Sequence, residues 1–403
     1  MTPGPVDAAF VTETLIRLVQ TNSVNPDLET DGPGEAAIGT CIAGILRGLD
    51  INVIVDEPAP GRPNVTGIMR GRGRGRGRGT SVARNLMLNG HMDTVGVAGM
   101  SDPFSGRIED GMLYGRGSYD MKSGLAAMLG AAKALRDAGT VLEGDLILSF
   151  VADEEYESLG AQALAARLND DASGLPRAHA AIVTEPTDLH ICPAHRGFAV
   201  YRITSFGRTA HGGQHRKGID ANMNMGLVLA RLHGLARELT TSRRHPLCGE
   251  ASLHVPLVEG GRSLFIYSHE CHIMVERRTI PGESKASVTA ELQGILDAVA
   301  AQEPTFRSTL ELEMWRSPWE IDASADIVQS LTRASRGVEH TREGFIGHGW
   351  WEDSAIFGEA GIPSVVIGAT GGGIHQDTEW VEVDSVVSLA EVLRRTAIDY
   401  LLY

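Results

Sequence analysis

Apolar residues recur at helical spacing in residues 6–20, where Phe10, Val11, Leu15, Leu18 and Val19 share a face. The polar stretch from Asn22 to Pro26 ends that pattern. A second helix is expected over residues 35–49 and a strand over 51–55, followed by strand-like runs at 65–69 and 85–88. Residues 125–135 are rich in Ala and Leu and predict a further helix. Residues 146–151 form an almost unbroken apolar run, as in a strand covered on both faces, and 180–183 repeat it. Helices alternating with such strands predict a layered α/β domain. From about Gly197 the pattern changes to strand-like segments at 198–205, 252–258, 269–277 and near 308–313, broken by helices at 220–237 and 283–301. Runs of strands interrupted by two helices predict an α+β domain inserted into the first. A helix over 325–335, a buried strand over 364–367 and an amphipathic helix over 386–402 then restore the α/β character. The expected organisation is one domain in two pieces, 1–196 and 313–403, with 197–312 inserted.

Length and composition narrow the class. A chain of 403 residues divides into about two domains, and 42% hydrophobic with 22% charged residues describes a globular protein. A net charge of −15 disfavours a general binder of nucleic acid or membrane surfaces. Residues 70–79 alternate Arg with Gly and could contact RNA as a disordered arm. In so acidic a chain they are read instead as an extended hairpin loop between the runs at 65–69 and 85–88. Cys41, Cys192, Cys248 and Cys271 lack Cys-x-x-Cys spacing and read as reduced, buried residues. With no basic segment leading into an apolar run at Met1, and no stretch of eighteen apolar residues, a cytoplasmic location is expected.

Candidate chemistry collects at the ends of the expected strands. His91 follows the run at 85–88, and Asp93 can hold its imidazole by the second ring nitrogen. Asp120 precedes the 125–135 helix, where a carboxylate is commonly an N-cap. Asp153, Glu154 and Glu155 follow the 146–151 strand, Glu185 follows 180–183, and His375 follows Gly371, Gly372 and Gly373. Open α/β sheets bind ligands at the carboxyl ends of their strands, so these residues point to one crevice. Two histidines and several carboxylates suit zinc, with manganese or cobalt admitted by the same ligand logic, and their number suits two ions. Of the neighbours Glu154 and Glu155, one can face a metal and the other a water.

These motifs together resemble the M20 metallopeptidases, the group of acetylornithine deacetylase, succinyl-diaminopimelate desuccinylase, aminoacylase and carboxypeptidase G. The resemblance rests on Gly90-His91-Met92-Asp93, Asp120-Met121-Lys122-Ser123-Gly124, Asp153-Glu154-Glu155, Thr184-Glu185-Pro186, and His375 with Glu379. It implies a zinc-peptidase-like catalytic domain with a mainly parallel mixed sheet, and makes the inserted α+β segment a lid and dimerisation domain. It also implies that Asp120 bridges two zinc ions, with His91 and Glu185 completing one site and Glu155 and His375 the other. Glu154 becomes the general base and acid, and Asp93 orients His91. His211, in Gly207-Arg208-Thr209-Ala210-His211, becomes a candidate oxyanion stabiliser that reaches the partner subunit's site in a homodimer, while His215 and Asp220 stand where proline and asparagine are frequent. Arg278 matches an arginine that grips a substrate carboxylate, but Phe265 stands in place of the accompanying asparagine. Phe265, Trp350 and Trp351 therefore suggest a pocket for an apolar or aromatic group. The implied reaction is hydrolysis of an N-acyl amino acid or related small amide. Alternatives are a di-, amino- or carboxypeptidase of the same family, or a non-catalytic or RNA-associated protein using the Arg-Gly tract.

Overall fold

The unbroken apolar runs become the centre of a mixed sheet. In the computed structural model, which describes residues 4–73, 84–97 and 99–402, the strands follow the order Asn52–Ala59, Arg62–Met69, Leu146–Val151, Leu86–His91, Ala180–Val183, Ser364–Val366 and Ile191–His195. Leu146–Val151, Leu86–His91, Ala180–Val183 and Ser364–Val366 are mutually parallel. The strands on either side of this group pair with it antiparallel. Every residue of the four parallel strands is buried, which is why their sequences show no polar alternation. Met87, Ile147, Val151, Ala181 and Val183 pack with residues of helices Leu159–Leu168 and Ser354–Glu359 on one face. Leu86, Leu88, Leu146 and Leu148 alternate to the other face. Helices Ala8–Gln20, Ser123–Asp137 and Val383–Leu402 pack on one another. Each fully buried leucine contributes roughly 1.5–3 kcal/mol.

This sheet belongs to a unit formed by Met1–Pro193, Ile321–Ile346 and Glu352–Tyr403. A second unit comprises Ala194–Glu320 and Gly347–Trp351. It contains a four-stranded antiparallel sheet in the order Ser252–Gly260, Glu270–Thr279, Gly197–Phe206, Arg307–Arg316. Tyr201, Ile203, Ile273 and Val275 form its core with Val228 and Leu232 of helix Ala221–Ser242 and Val288 and Leu292 of helix Lys285–Gln302. Asp220, noted above as a departure from asparagine, caps the first of these helices by accepting from the amides of Asn222 and Met223.

One expectation is corrected and one alternative is set aside. The runs at 65–69 and 85–88 do not form a hairpin, because strand Leu146–Val151 lies between them, antiparallel to one and parallel to the other. Of the Arg-Gly tract, Arg70 is held by Asp145 at 2.7 Å, and the amides of Arg72 and Gly73 donate to Leu142 and Glu143. Residues 74–79 lie outside the described residues. Nor is Asp120 a helix cap: helix Ser123–Asp137 is preceded by Lys122, and Asp120 sits before it in extended backbone. No helix among the described residues is long and apolar enough to cross a membrane.

Candidate metal centre

Each of the four parallel strands delivers part of one cluster from its carboxyl end. His91 is the last residue of its strand, Glu154 and Glu155 follow Val151, Glu185 follows Val183, and the glycine-rich segment leading to His375 follows Val366. Asp120 enters from the loop before helix Ser123–Asp137. That helix approaches closely because Gly124 has no side chain: a Cβ there would lie 2.4 Å from the Thr184 carbonyl oxygen. The loop itself is fixed by Glu379, whose carboxylate accepts from the amides of Gly117, Tyr119 and Asp120 and from Arg116 at 2.7 Å.

The side chains assemble as two triads with Asp120 in common, His91–Asp120–Glu185 and Asp120–Glu155–His375, each with its donor atoms within 4.8 Å of one another. The two carboxylate oxygens of Asp120 face opposite ways. Oδ1 lies 3.2 Å from His91 Nε2, and Oδ2 lies 3.3 Å from His375 Nε2. Glu185 approaches His91 Nε2 at 3.4 Å, Glu155 approaches His375 Nε2 at 3.2 Å, and Glu154 stands 4.0 Å from His91 Nε2. His91 Nδ1 is 3.1 Å from the Asp93 carbonyl oxygen and 3.5 Å from its carboxylate. Either contact fixes the ring so that Nε2 points into the cluster.

The electrostatics describe a site short of positive charge. Burial and neighbouring carboxylates push the proton affinities of Glu154 and Glu185 well above the ordinary range, and burial followed by Asp120 raises that of Glu155. Contacts with Asp120 and Glu155 push the His375 imidazole up to about 10. Burial opposes charge on His91, yet Glu185, Asp120 and Asp93 raise its pKa well above the usual value. Burial acts in the same sense on Lys122 and there prevails: its ammonium is pushed down to about 7 while donating to the Thr21 carbonyl at 2.9 Å. Glu155 Oε1 and Glu185 Oε1 are buried without a hydrogen-bond donor among the described residues. Orphaned oxygens beside two imidazole nitrogens form a donor set that fits divalent cations.

Sequence reasoning missed the supports behind the cluster. Asp93 accepts from the Glu154 amide at 3.1 Å and the Glu155 amide at 3.2 Å, so it holds the Glu154–Glu155 turn as well as the histidine. Asn25, Glu35 and Arg62 are buried behind the same turn. Asn25 lies in the polar stretch that ends the first helix, and Arg62 lies at the start of a strand whose apolar pattern begins only at Val65.

The remaining candidates lie on the second unit. An isolated bridge pairs His211 with Ile266, and the Gly212 amide donates to the Phe265 carbonyl at 2.8 Å. His211 and Phe265 therefore share one loop pair, from which Leu264 and Phe265 project 94% and 72% exposed. Arg278 lies near the far end of strand Glu270–Thr279, which at ~3.3 Å per residue puts it on the order of 25 Å along the strand from that loop pair. Its guanidinium bonds Glu276 and lies over the Phe198 ring. Trp351 packs against Arg316 and the edge of His195, while Trp350 stacks on His348 at 4.2 Å and is 44% exposed.

Fold and cluster define a mixed α/β protein with a candidate metal centre, and comparison with known proteins gives the family. Residues 87–399 match the model of peptidase family M20/M25/M40, and the chain belongs to that family of amidohydrolases and peptidases. An N-formyl-4-amino-5-aminomethyl-2-methylpyrimidine deformylase of Bacillus subtilis (strain 168) is 26% identical across 94% of this chain and 93% of its own length. An acetylornithine deacetylase of Myxococcus xanthus is 30% identical across 77% of this chain and 78% of its own. Among solved structures, the Bacillus subtilis YXEP protein, described as a dinuclear metal binding peptidase, superposes with a TM-score of 0.74 at 16% identity over 98% of this chain and 99% of that one.

Proposed function

We propose that the protein is a dinuclear zinc amidohydrolase that cleaves the amide bond of an N-acyl amino acid or a related small N-acyl amine. The observation that carries this reading is Asp120, whose two oxygens face two separate His/Glu pairs. In it, His91, Asp120 and Glu185 would hold one ion and Asp120, Glu155 and His375 the other. The donor set also admits cobalt or manganese. When bound, such ions supply Lewis acidity, which lowers the pKa of a water and polarises an amide carbonyl.

The chain's own residues supply the proton traffic and the positioning. Glu154 stands beside the first triad and belongs to neither. Its carboxylate takes the proton from the attacking water and returns it to the leaving nitrogen. Burial raises its affinity for that proton, which suits a group that must hold one between two steps. Asp93 keeps His91 oriented. His211 serves as donor to the developing oxyanion, and Arg278 as partner to a substrate carboxylate. The distance along the strand between Arg278 and the loop pair of His211 and Phe265 supports a homodimer, because both ends could touch one small substrate only if they came from two copies. The exposed Leu264 and Phe265 support an apolar contact with that substrate, whereas the packing of Trp351 supports a structural part for that ring. The resemblance to a deformylase and a deacetylase favours acyl removal over peptide cleavage, and a cytoplasmic location accompanies the reading.

The test is hydrolysis of a mixed set of N-formyl and N-acetyl amino acids, other small N-acyl amines and dipeptides by zinc-loaded protein, with Glu154→Gln alongside. Amine release from N-acyl substrates, reduced about 10²–10⁴-fold in Glu154→Gln, is expected. Preferential cleavage of dipeptides would replace the deacylase reading with the peptidase one.

A further inference from the structure

The turn carrying Glu154 and Glu155 is held by a buried polar network that contributes no atom to the triads. Asp153, which opens the turn, has φ +70°, a left-handed conformation that, glycine aside, few residues other than Asn and Asp adopt. Its carboxylate is fully engaged. Oδ1 accepts from Asn25 Nδ2 at 3.0 Å and Arg62 Nη2 at 2.9 Å, and Oδ2 accepts from the amides of Glu157 and Leu159. The Asp153 amide donates to Glu35 Oε1 at 3.2 Å. Arg62 grips Glu35 with both Nε and Nη2, at 2.6 and 2.8 Å, and reaches Asp27 with Nη1 at 2.6 Å. Asn25 Nδ2 also donates to Asp93 Oδ2 at 2.8 Å. One amide nitrogen thus ties Asp93, beneath the Glu154 and Glu155 amides, to Asp153 at the head of the same turn. One guanidinium is the positive charge among the buried carboxylates Glu35 and Asp153.

We propose that Asn25 and Arg62 are positioning residues for Glu154 and Glu155. They draw Asp93 and Asp153 together so that Glu155 meets Asp120 and His375 while Glu154 remains free of the triads. This rests on the reading of the two triads as metal sites. Without the Asn25 amide, Asp93 and Asp153 repel each other and the turn relaxes. Without the planar fork of Arg62, no single side chain can hold Glu35, Asp153 and Asp27 together. Glu185 and His91 come from other strand ends, and His91 keeps its 3.1 Å contact with the Asp93 backbone carbonyl, which Asn25 does not touch. The second triad, which contains Glu155, should therefore suffer more than the first, and turnover should suffer more than substrate binding.

The test compares wild type, Asn25→Ala and Arg62→Lys in titrations of the metal-free full chain with zinc, followed calorimetrically, and with cobalt, followed by its visible spectrum. Kinetics of the zinc-loaded proteins complete it. In wild type, two ions per chain are expected. In both variants, the expected result is one ion retained within about threefold of wild-type affinity and the other weakened about 10–100-fold, with a matching change in one cobalt band. At saturating zinc, kcat falls with KM little changed. A thermal melt separates this from unfolding, because a merely structural loss would lower the melting temperature and weaken both ions together. Two ions bound at wild-type affinity in both variants, or equal weakening of both, would overturn the positioning role. A wild-type chain that fails to bind two ions would instead overturn the metal-site reading on which the proposal rests.

Discussion

At the scale of single residues, the cluster is held by charges that have little alternative to one another. Glu379 is 1% exposed, and Arg116, its partner, is almost as buried. Replacing Glu379 with Ala leaves the guanidinium buried without its carboxylate and strips the acceptor from three backbone amides. The variant is expected to lose about 3–5 kcal/mol, measured as a shift in the denaturant midpoint. His91, Asp120, Glu154, Glu155, Glu185 and His375 were legible because each follows a recognisable strand or glycine-rich turn, and a histidine or a pair of acidic residues at a strand end is conspicuous. Asn25, Glu35 and Arg62 were not. Their partners are 27 to 128 residues away in sequence, and nothing in a lone Asn or Arg reveals a partner at that distance.

At the scale of elements, hydrophobic periodicity located nearly every long helix and strand, because a buried face leaves a spacing that local sequence carries. Pairing was harder to read. The strands at Arg62–Met69 and Leu86–His91 are consecutive among the long strands of the chain, yet Leu146–Val151 separates them in the sheet. The short strands Arg107–Glu109, Met112–Tyr114, Gly371–Gly372 and Trp380–Glu382 form a small sheet that a turn-rich sequence concealed. The clasp between helices Asp326–Ser335 and Val383–Leu402 carries a prediction of its own. Arg333 bonds Asp399 through two nitrogens and holds that carboxyl below its ordinary pKa of 3.8. A lowered folded-state pKa means stability that is present above the unfolded value and lost as pH falls through the folded one. Arg333 and Asp399 are partly exposed, at 51% and 29%, so solvent screening limits the effect. Asp399→Asn is expected to cost no more than about 1 kcal/mol at pH 6–8, with the difference from wild type shrinking below pH 3.8, as read from urea midpoints across that range. A difference independent of pH would show that the bond acts through packing rather than charge.

At the scale of the whole molecule, the chain forms two units that carry different candidate residues. The parallel sheet focuses four strand ends on one cluster, and the antiparallel unit presents His211, Phe265 and Arg278 on loops and a strand of its own. The sequence changes from alternating helices and strands to a run of strands with two helices near where the second unit, Ala194–Glu320, begins. The arrangement of two triads about one aspartate was implied only by the family resemblance, because spacing along the chain does not report which oxygen of a carboxylate faces which histidine. The most direct measurement is amine release from an N-acyl substrate during stepwise zinc addition to metal-free protein, with bound zinc counted at each step. The expected result is activity that reaches its plateau at two ions per chain, disappears on chelation and is nearly absent in Glu154→Gln although that variant binds both ions. Undiminished release by chelated protein, or by Glu154→Gln, would contradict a two-metal site served by Glu154.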